Sequence, residues 1–350
     1  MSKSIRTYFR RLAEGYEDGP VSKVISPLLA VAEKGYKTGN AIHQSLYSKK
    51  IFQRKKLPFP VISVGNLTWG GTGKTPFVEY LARKIATHRK VPVIITRGYG
   101  LDEIEQIKHH VPEVLVAVGK NRVQAAHALL KTQKIMDAGI LDDGLQHWPI
   151  ERDLEIVMIN ALNPFGNGRL IPRGILREPM EALQRAHFVV ISHSNLIPSK
   201  ELADLKNKIY SVTKNAFVIE SYLESLFFFR AKKRARVGVE RLARQRVTTF
   251  SGIGAPRSFQ LLLAKSQVRP VRNFEFTDHH RFTAKELEDI KAVSTAAAVE
   301  EIITTEKDFY RDPEIITNIL NPLVLAAKLR IKSGEEVLLE RIFRLLGIAN

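Results

Sequence analysis

The chain has 350 residues, 44% of them hydrophobic, and carries a formal net charge of +18. This length suits two domains of ordinary size or one large domain, and the hydrophobic content excludes a largely disordered chain. The absence of cysteine excludes disulfides, thiolate metal ligands and cysteine nucleophiles. The positive charge indicates an anionic partner, for which nucleic acid, anionic lipid headgroups and phosphorylated small substrates all qualify.

Residues 1–56 form a basic N-terminal segment with a helical apolar pattern. Apolar residues recur at near-helical spacing from Val21 to Val31, and Pro27 would kink or restart this helix. The pattern fits a basic amphipathic helix in the headgroup region of a membrane, and equally a helix packed on a domain. Residues 1–13 are rich in arginine and free of acids, which resembles an organelle-targeting peptide. No apolar run approaches the roughly 18 residues of a membrane-spanning helix.

A strand, a glycine-rich loop and a helix follow one another after residue 60. Val61–Val64 is rich in β-branched residues, the loop reads Gly-Gly-Thr-Gly-Lys-Thr, and a helical pattern begins at Phe77. Glycines let backbone N–H groups turn toward an anion, and a helix N-terminus adds partial positive charge. We therefore predict a phosphate loop for ATP, although Thr68 stands where the pattern usually begins with glycine. The predicted nucleotide-binding residues are Gly70, Gly71, Thr72, Gly73, Lys74 for the β- and γ-phosphates, and Thr75, whose hydroxyl also ligates Mg²⁺.

Apolar β-branched runs alternate with helical patterns along the rest of the chain. The predicted strands are Val61–Val64, Val91–Thr96, Val114–Val118, Gly139–Leu141, Leu154–Ile159 and Phe188–Ile191, then Val247–Phe250, Val271–Phe276, Ile302–Thr305 and Leu323–Ala326. This order predicts an α/β fold with a mostly parallel sheet flanked by helices. We expect a phosphate-loop domain at 57–222, a linker with a basic run at 223–246, and a smaller α/β domain at 247–350.

Two adjacent acids follow the predicted strand Gly139–Leu141. Asp142 and Asp143 are placed where open α/β sheets bind ligands, and a strand-end aspartate commonly organises Mg²⁺. Gln146 and His147 follow at once, so several polar groups converge at this edge. Such acids also orient turns or cap helices, but the convergence favours a functional site.

Two more acids follow the strand that ends at Thr96. Either Asp102 or Glu103 is a candidate to take a proton from an attacking hydroxyl, because phosphoryl transfer depends more on positioning than on a strong base. Taken alone the pair is weak, since Asp-Glu pairs also begin helices.

A turn-rich loop at residues 163–179 carries Arg169, Arg173, Arg177 and Glu178. Loops of this length within a compact domain are usually functional or disordered, and the apolar residues and prolines here favour order. Its arginines are suited to grip an anionic substrate or a transferring phosphate.

A second polar cluster lies in the C-terminal half. Asp278 and His279 are a candidate acid–imidazole pair, and Thr283 with Glu286 predicts a capping box at the start of a helix. Three metal ligands with suitable spacing are not visible there.

The motifs occur in an order that resembles the tetraacyldisaccharide 4′-kinase family, the lipid A 4′-kinases. They are Val-Gly-Asn-Leu-Thr-x-Gly-Gly-Thr-Gly-Lys-Thr-Pro from residue 64, Arg-Gly-Tyr-Gly from 97, Leu-Asp-Asp-Gly-Leu-Gln-His from 141, Pro-Phe-Gly-Asn-Gly from 164, Leu-Arg-Glu-Pro from 176, Gly-Ile-Gly from 252, Asp-His-His-x-Phe from 278 and Thr-Glu-Lys-Asp from 305. The resemblance spans about residues 20 to 330, and the family pattern also lacks the first glycine of the phosphate loop.

This resemblance implies transfer of the ATP γ-phosphate to the 4′-hydroxyl of a tetraacylated glucosamine disaccharide 1-phosphate, giving lipid IVA. It implies a phosphate-loop domain joined by a β-ribbon to a smaller α/β domain, with the N-terminal helix on the membrane. It further implies Asp102 as the base, His279 tuning that base from the second domain, and Lys74 in catalysis. The implied substrate-binding residues are Asn66, Asp143, Gln146, His147 and Arg177, and the implied Mg²⁺ ligands are Thr75, Asp142, Glu103 and Glu178.

The chain departs from the bacterial pattern in one place. The segment between Arg-Gly-Tyr and Asp-Glu is compressed to Gly100 and Leu101, and Ile104 replaces a proline, which resembles the plant homologues. The expected location is therefore the cytoplasmic face of a bacterial inner membrane or, for a plant-type homologue, a mitochondrial membrane. The resemblance implies no nucleic-acid partner. A nucleic-acid-associated ATPase and a kinase of soluble small molecules are the alternatives.

Overall fold

Among the residues that the computed structural model describes (3–16, 19–98, 101–133, 135–243 and 245–348), twelve strands form a single sheet. The strands are β1 (Val61–Asn66), β2 (Pro92–Thr96), β3 (Leu115–Val118), β4 (Ala138–Asp142), β5 (Leu154–Asn160), β6 (Phe188–Ser192), β7 (Phe217–Arg230), β8 (Arg236–Val237), β9 (Val247–Ser251), β10 (Pro270–Glu275), β11 (Glu301–Thr305) and β12 (Leu323–Ser333). They lie in the order β10-β9-β11-β12-β7-β6-β5-β1-β4-β2-β3, with β8 beside β7.

Helices pack around this sheet. They are α1 (Lys3–Glu14), α2 (Pro20–Ser48), α3 (Lys74–Thr87), α4 (Leu101–His110), α5 (Arg122–Thr132), α6 (Ser199–Val212), α7 (Pro256–Lys265), α8 (Ala284–Ala296), α9 (Glu306–Arg311), α10 (Pro313–Ile319) and α11 (Glu335–Leu345). Every predicted strand appears within a residue or two of its expected start, and the α/β class with a mostly parallel sheet is confirmed. The predicted capping box of Thr283 and Glu286 is also present, at the start of α8.

The parallel register brings several polar strand ends to one edge of the sheet. Strand β1 lies between β4 and β5, with Val64 opposite Asp142 on one side and Asn66 opposite Met158 on the other. Next to β5, the last residue of β6, Ser192, lies opposite Asn160. The loop after β1 therefore emerges among the carboxyl ends of its neighbours, where open α/β sheets bind ligands.

Strands β7 and β12 connect two lobes of the molecule. We call the part around β1–β6 the first lobe and the part around β9–β11 the second lobe. Strand β7 pairs in parallel with β6, β12 pairs in parallel with β11, and the two long strands pair with each other in antiparallel fashion. The long pairing extends from Arg230 opposite Leu323 to Glu220 opposite Ser333, so it forms a ribbon between the lobes.

Separate apolar cores stabilise the lobes. In the first lobe, Ile62, Phe77 and Leu81 are fully buried between the sheet and α3, whereas Phe250 and Phe309 anchor a core of the second lobe. Burying each side chain of this size contributes about 1.5–3 kcal/mol of transfer free energy. The C-terminal helix α11 packs its apolar face into the core of the first lobe. From the sequence we expect residues 335–345 in the smaller domain, whereas in the structure Glu335 contacts Tyr80 and Lys84 on α3, and Leu338 and Ile342 belong to the core of the first lobe.

Helix α2 is one continuous helix of 29 residues that contains Pro27. Val24, Leu28 and Val31 are 79%, 74% and 70% exposed, so this part of the helix leaves apolar side chains uncovered. Throughout the part of the chain that is described, no helix combines the length and apolarity needed to cross a membrane.

Candidate active site

The predicted phosphate loop lies between β1 and α3. Gly70 and Gly73 have φ values of 94° and 78°, a left-handed conformation that glycine adopts at little cost. Asn160 Nδ2 and Ser192 Oγ donate to the carbonyl oxygens of Gly71 and Thr72, both at 2.9 Å. Side chains from β5 and β6 therefore hold two carbonyl oxygens of the loop. These carbonyl oxygens are not free to face, and repel, the oxygens of a phosphate.

Residues of the second lobe lie directly over this loop. A Cβ atom added to Gly254 would lie 2.5 Å from the backbone nitrogen of Gly71, and one added to Gly71 would lie 2.8 Å from that of Ala255. Both glycines are therefore required by the close contact of two backbones. Between the lobes lies a cavity of about 350 Å³, within the range of small-molecule sites.

Several of the predicted site residues share this cavity. The described side chains that line it include Lys74, Thr75, Glu103, Asp142, Asp143 and His279. Lys74 Nζ donates to Asn66 Oδ1 at 3.0 Å and lies 3.5 Å from Asp143 Oδ1. The structure therefore brings the phosphate-loop lysine and the acids after β4 into one group.

The two adjacent acids have opposite electrostatic environments. Burial, followed by the negative charges of Glu103 and Asp143, raises the pKa of Asp142 to about 6 despite the opposing effect of Lys74. Burial acts in the same direction on Asp143, but the hydrogen bonds from Arg177 and the charge of Lys74 outweigh it and hold the pKa of that carboxyl well below its usual range. Asp143 therefore stays ionised at neutral pH, whereas Asp142 loses its proton only as the pH rises through about 6.

Arg177 links the phosphate loop to helix α2. Its guanidinium binds both carboxylate oxygens of Asp143, at 2.9 and 2.7 Å, and also contacts the carbonyl and side-chain oxygens of Asn66. Its own carbonyl oxygen accepts hydrogen bonds from Tyr36 Oη and Asn40 Nδ2, both at 2.9 Å. The arginine loop of residues 163–179 is therefore ordered against α2 at one end of the site.

Glu178, predicted as a Mg²⁺ ligand, does not join the acids of the cavity. It is 1% exposed, and its carboxylate accepts hydrogen bonds from Gln44 at 2.7 Å, Arg185 at 2.8 Å and Gln146 at 3.0 Å. Because three hydrogen-bond donors already bind its carboxylate, Glu178 serves to position its neighbours. We therefore leave Glu178 out of the proposed metal site. Gln146 also donates to the carbonyl of Asn66 at 3.2 Å.

His147 is half-buried beside this group. Burial, reinforced by the charges of Arg122 and Arg152, lowers the pKa of His147 to about 4. Its Nε2 has no hydrogen-bond partner among the described residues. This nitrogen is buried and His147 is not among the residues that line the cavity, so the predicted contact of His147 with the sugar stays a prediction.

Helix α4 lies at the opposite side of the cavity. Glu103 Oε1 is 2.7 Å from Lys307 Nζ and 3.8 Å from His279 Nε2, and both partners belong to the second lobe. Asp102 is the second residue of α4, but its side chain lies outside the described part of the structure. The prediction that His279 tunes Asp102 therefore stays a prediction, and Tyr99 and Gly100 of the Arg-Gly-Tyr-Gly motif also lie outside the described residues.

No group of three or more acidic or histidine side chains in the described ranges is arranged to hold a metal ion. Thr75, Asp142 and Glu103 nevertheless line the same cavity. Mg²⁺ at kinase sites typically uses one or two carboxylates together with water and substrate phosphates. Thr75 and Asp142 fit that mode, whereas the Glu103 carboxylate is 2.7 Å from Lys307 Nζ and stays a predicted ligand only.

Arg122 and Lys307 are charged residues that line the cavity but were not among the predicted site residues. Arg122 is 6% exposed, and its Nη1 donates to the carbonyl oxygen of Asp143 at 3.0 Å; burial lowers its pKa. Arg122 lies shortly after β3, a strand that the sequence predicts, so its position beyond a strand end could have indicated a site residue. Lys307 lies within the Thr-Glu-Lys-Asp motif, but only the fold shows that it reaches the first lobe.

The chain is similar along most of its length to kinases of one family. The family model for tetraacyldisaccharide-1-P 4′-kinase matches residues 25–105 and 101–346. A probable mitochondrial tetraacyldisaccharide 4′-kinase from Arabidopsis thaliana is 37% identical over 343 residues, which cover 87% of this chain and 86% of the relative. The tetraacyldisaccharide 4′-kinase of Halothermothrix orenii is 33% identical over 370 residues, which cover 95% and 96%.

A solved structure gives the same result. The crystal structure of LpxK from Aquifex aeolicus in complex with ATP matches with a TM-score of 0.69 and 26% identity, covering 93% of this chain and 99% of that one. Nearly the whole fold is therefore shared, including both lobes that enclose the cavity. The chain belongs to the tetraacyldisaccharide 4′-kinase family.

Proposed function

We propose that this chain transfers the γ-phosphate of ATP to the 4′-hydroxyl of a tetraacyldisaccharide 1-phosphate, yielding lipid IVA in lipid A biosynthesis. One observation carries the proposal: Arg177 contacts both parts of the site that such a substrate requires. Its guanidinium binds Asp143 in the cavity, and its carbonyl accepts hydrogen bonds from α2, the helix with exposed apolar residues. The polar sugar of such a substrate would lie at the cavity while its lipid tails contact that helix.

The phosphate loop supports the nucleotide part of the proposal. The buried Thr72 hydroxyl has no hydrogen-bond partner among the described residues, which suits a loop that receives oxygens from a ligand. Gly71 has no side chain to fill the space between the lobes. Lys74 begins α3 and would bind the β- and γ-phosphates together with the N–H groups at the helix N-terminus.

The donor set also fits Mg²⁺. Thr75 offers a hydroxyl oxygen and Asp142 a carboxylate, both hard oxygen ligands, and Glu103 lines the same cavity. When bound, the ion would neutralise negative charge on the transferring phosphoryl group. Thr96 Oγ1 donates to Asp142 Oδ2 at 3.2 Å and so orients the carboxylate that would hold it.

The transfer itself needs an oriented acceptor hydroxyl. We propose that Asp102, at the start of α4, accepts the proton of the 4′-hydroxyl, following its match to the family motif. Asp143, Asn66, Gln146, His147 and Arg177 would hold the sugar. The transfer is direct and in line, without a phosphoenzyme, because positioning and charge neutralisation account for most of the catalysis of such reactions.

Closure of the second lobe would protect the reaction from water. The Gly254 backbone already contacts the phosphate loop, and His279 lines the cavity from the same lobe. With the lobes in contact, water is excluded from the γ-phosphate and wasteful hydrolysis is limited.

We further propose that the chain works at a membrane surface as a peripheral protein. Val24, Leu28 and Val31 on α2 are the exposed apolar residues that would enter the headgroup region. The relatives include a mitochondrial one. A bacterial inner membrane and an organelle membrane both remain compatible with these observations.

The test is to offer γ-labelled ATP and Mg²⁺ with three acceptors: the tetraacyldisaccharide 1-phosphate, a glucosamine disaccharide without acyl chains, and DNA. Label on the lipid, lost in Lys74→Ala, supports the proposal. Equal labelling of the soluble sugar indicates a kinase of soluble small molecules. DNA-stimulated release of phosphate without labelling of any acceptor indicates a nucleic-acid-associated ATPase.

A further inference from the structure

Lys307 is a charged residue that no motif argument assigns a role. It is the second residue of the short helix α9, which begins where β11 ends. Its neighbour Asp308 is fully buried and accepts hydrogen bonds from Thr305 Oγ1 at 2.7 Å, Arg311 at 2.9 Å and the Gly252 nitrogen at 3.0 Å. Lys307 therefore extends from a rigid part of the second lobe.

The ammonium of Lys307 joins the two lobes at the edge of the cavity. It is 2.7 Å from Glu103 Oε1 on α4, 3.1 Å from Asp278 Oδ1 and 3.3 Å from His279 Nε2. Glu103 belongs to the first lobe, whereas Asp278 and His279 lie in the loop after β10. One cation thus contacts three groups around the reaction site and neutralises two carboxylates that would otherwise repel a triphosphate.

The same contact bears on which nitrogen of His279 carries the ring proton. An ammonium group only donates hydrogen bonds, so His279 Nε2, 3.3 Å from Lys307 Nζ, suits this contact as an acceptor. In a neutral imidazole, that role for Nε2 puts the ring proton on Nδ1.

We propose that Lys307 is a positioning residue for phosphoryl transfer, which holds Glu103 at the start of α4 against the Asp278–His279 loop and keeps His279 Nε2 as a hydrogen-bond acceptor. The inference rests on the proposed function, because α4 begins with the proposed base. A purely structural ion pair would stabilise the closed lobes and would be restored by the same ammonium, so the protonation of His279 is the readout that separates the two roles.

The chain contains no cysteine, so a single new thiol can be modified alone. In Lys307→Cys, alkylation with 2-bromoethylamine restores an ammonium of nearly the original length, whereas iodoacetamide adds a neutral group. We expect Lys307→Cys to lower kcat by about tenfold to hundredfold, with a change in the KM for ATP of less than about threefold. Aminoethylation should recover most of the kcat, and carbamidomethylation should not.

The matched control is Lys291→Cys, at an exposed position of α8, which should keep its kcat before and after either reagent. Mass spectrometry establishes complete modification, and thermal unfolding shows whether each form is folded. The proposal is overturned if Lys307→Cys keeps its kcat within about twofold. It is also overturned if both reagents restore activity equally, or if the folded, fully aminoethylated protein stays inactive.

A measurement without turnover separates this inference from the proposed function. In ¹⁵N-histidine-labelled protein, with the signal of His279 assigned through His279→Gln, we expect protonated Nδ1 and unprotonated Nε2 in the wild type and in the aminoethylated variant. A proton on Nε2 in the wild type contradicts the role of Lys307, whether or not the chain phosphorylates the lipid. Absence of lipid labelling alongside the expected tautomer contradicts the proposed function alone.

Discussion

Arg177 and Asp143 form a two-point ion pair, with Nη1–Oδ2 and Nη2–Oδ1 distances of 2.9 and 2.7 Å. The planar guanidinium matches both carboxylate oxygens, a geometry that a lysine ammonium does not reproduce. Asp143 is also 3.5 Å from the phosphate-loop residue Lys74. The ion pair therefore connects the arginine loop, which is held on α2, to the glycine-rich loop at Lys74.

Arg177→Lys should lower kcat/KM for the lipid acceptor by about tenfold to hundredfold, because one charge-assisted hydrogen bond and the fixed orientation of Asp143 are lost. The matched control is Arg173→Lys in the same loop, whose contacts are Glu33 and Ser26 on α2. We expect steady-state kinetics of this control to stay within about twofold of the wild type. Equal effects of the two changes would contradict a specific role for the pair.

Gly254→Ala should impair closure of the lobes, because the new Cβ would lie 2.5 Å from the Gly71 nitrogen. The backbone has to shift to relieve such a contact, and a shift of this kind typically costs about 1–3 kcal/mol. We expect kcat to fall by at least about tenfold. Gly39→Ala on α2 is the control, since a Cβ there meets no atom within 4 Å. Wild-type kcat in Gly254→Ala would show that the contact between the two loops is not needed.

The kcat/KM for MgATP should fall as the pH drops below about 6, the pKa of Asp142 in the free protein. Above that pH its carboxylate is ionised and available to Mg²⁺, whereas below it the group is protonated. Asp143 does not contribute to this limb, because its pKa is lowered. A pH profile from 5 to 8.5 measures the midpoint. A midpoint near 4, the range of an ordinary aspartate, would contradict the effect of burial.

His110 should stabilise the fold at low pH and lose this effect at high pH. Its Nδ1 is 3.0 Å from Glu79 on α3 and its Nε2 is 3.4 Å from Glu306 on α9, while Arg83 pairs with Glu79 and the His109 and Tyr310 rings flank it. Burial acts to lower the pKa of His110, but the hydrogen bonds to Glu306 and Glu79 outweigh it and raise the pKa to about 10. Because the raised value belongs to the folded state, the stabilisation is complete below about 6.5 and disappears as the pH rises through 10.

His110→Gln removes this cation and should lower the free energy of unfolding at pH 6 by roughly 1–3 kcal/mol. The difference from the wild type should shrink as the pH approaches 10. Urea unfolding at several pH values measures it, with His127→Gln at an exposed position of α5 as the control. A difference that grows with pH would mean that His110 is neutral in the folded protein.

Replacing Val24, Leu28 and Val31 by serine should weaken binding to anionic vesicles by at least about tenfold, because each apolar side chain that enters the membrane contributes free energy. Vesicle flotation measures the bound fraction. The control replaces Val293 and Val337, which are exposed on α8 and α11, by serine. If both proteins bind as the wild type does, the exposed part of α2 is not the membrane contact.

Features that depend on local sequence were predictable. The β-branched run before the glycines predicts β1, and the glycine cluster predicts a loop whose backbone enters the left-handed region at Gly70 and Gly73. The strand end at Asp142 likewise follows from the apolar run before it. Strand β7 was not expected, because its stretch of alternating and consecutive apolar residues gives no single period.

Features that depend on tertiary contacts were not predictable in the same way. Glu178 adjoins Arg177 in sequence, but only the fold shows that Gln44, Gln146 and Arg185 occupy its carboxylate. The reach of Lys307 to Glu103 also depends on how the lobes meet.

The most direct test of the proposed function is to determine which oxygen of the tetraacyldisaccharide 1-phosphate receives the phosphate of ATP. ¹H–³¹P correlation NMR of the purified product gives this position. We predict a phosphomonoester on the 4′-oxygen, formed by the wild type and absent with Lys74→Ala. A phosphate on another hydroxyl, a diphosphate at position 1, or inorganic phosphate without any lipid product would contradict the account.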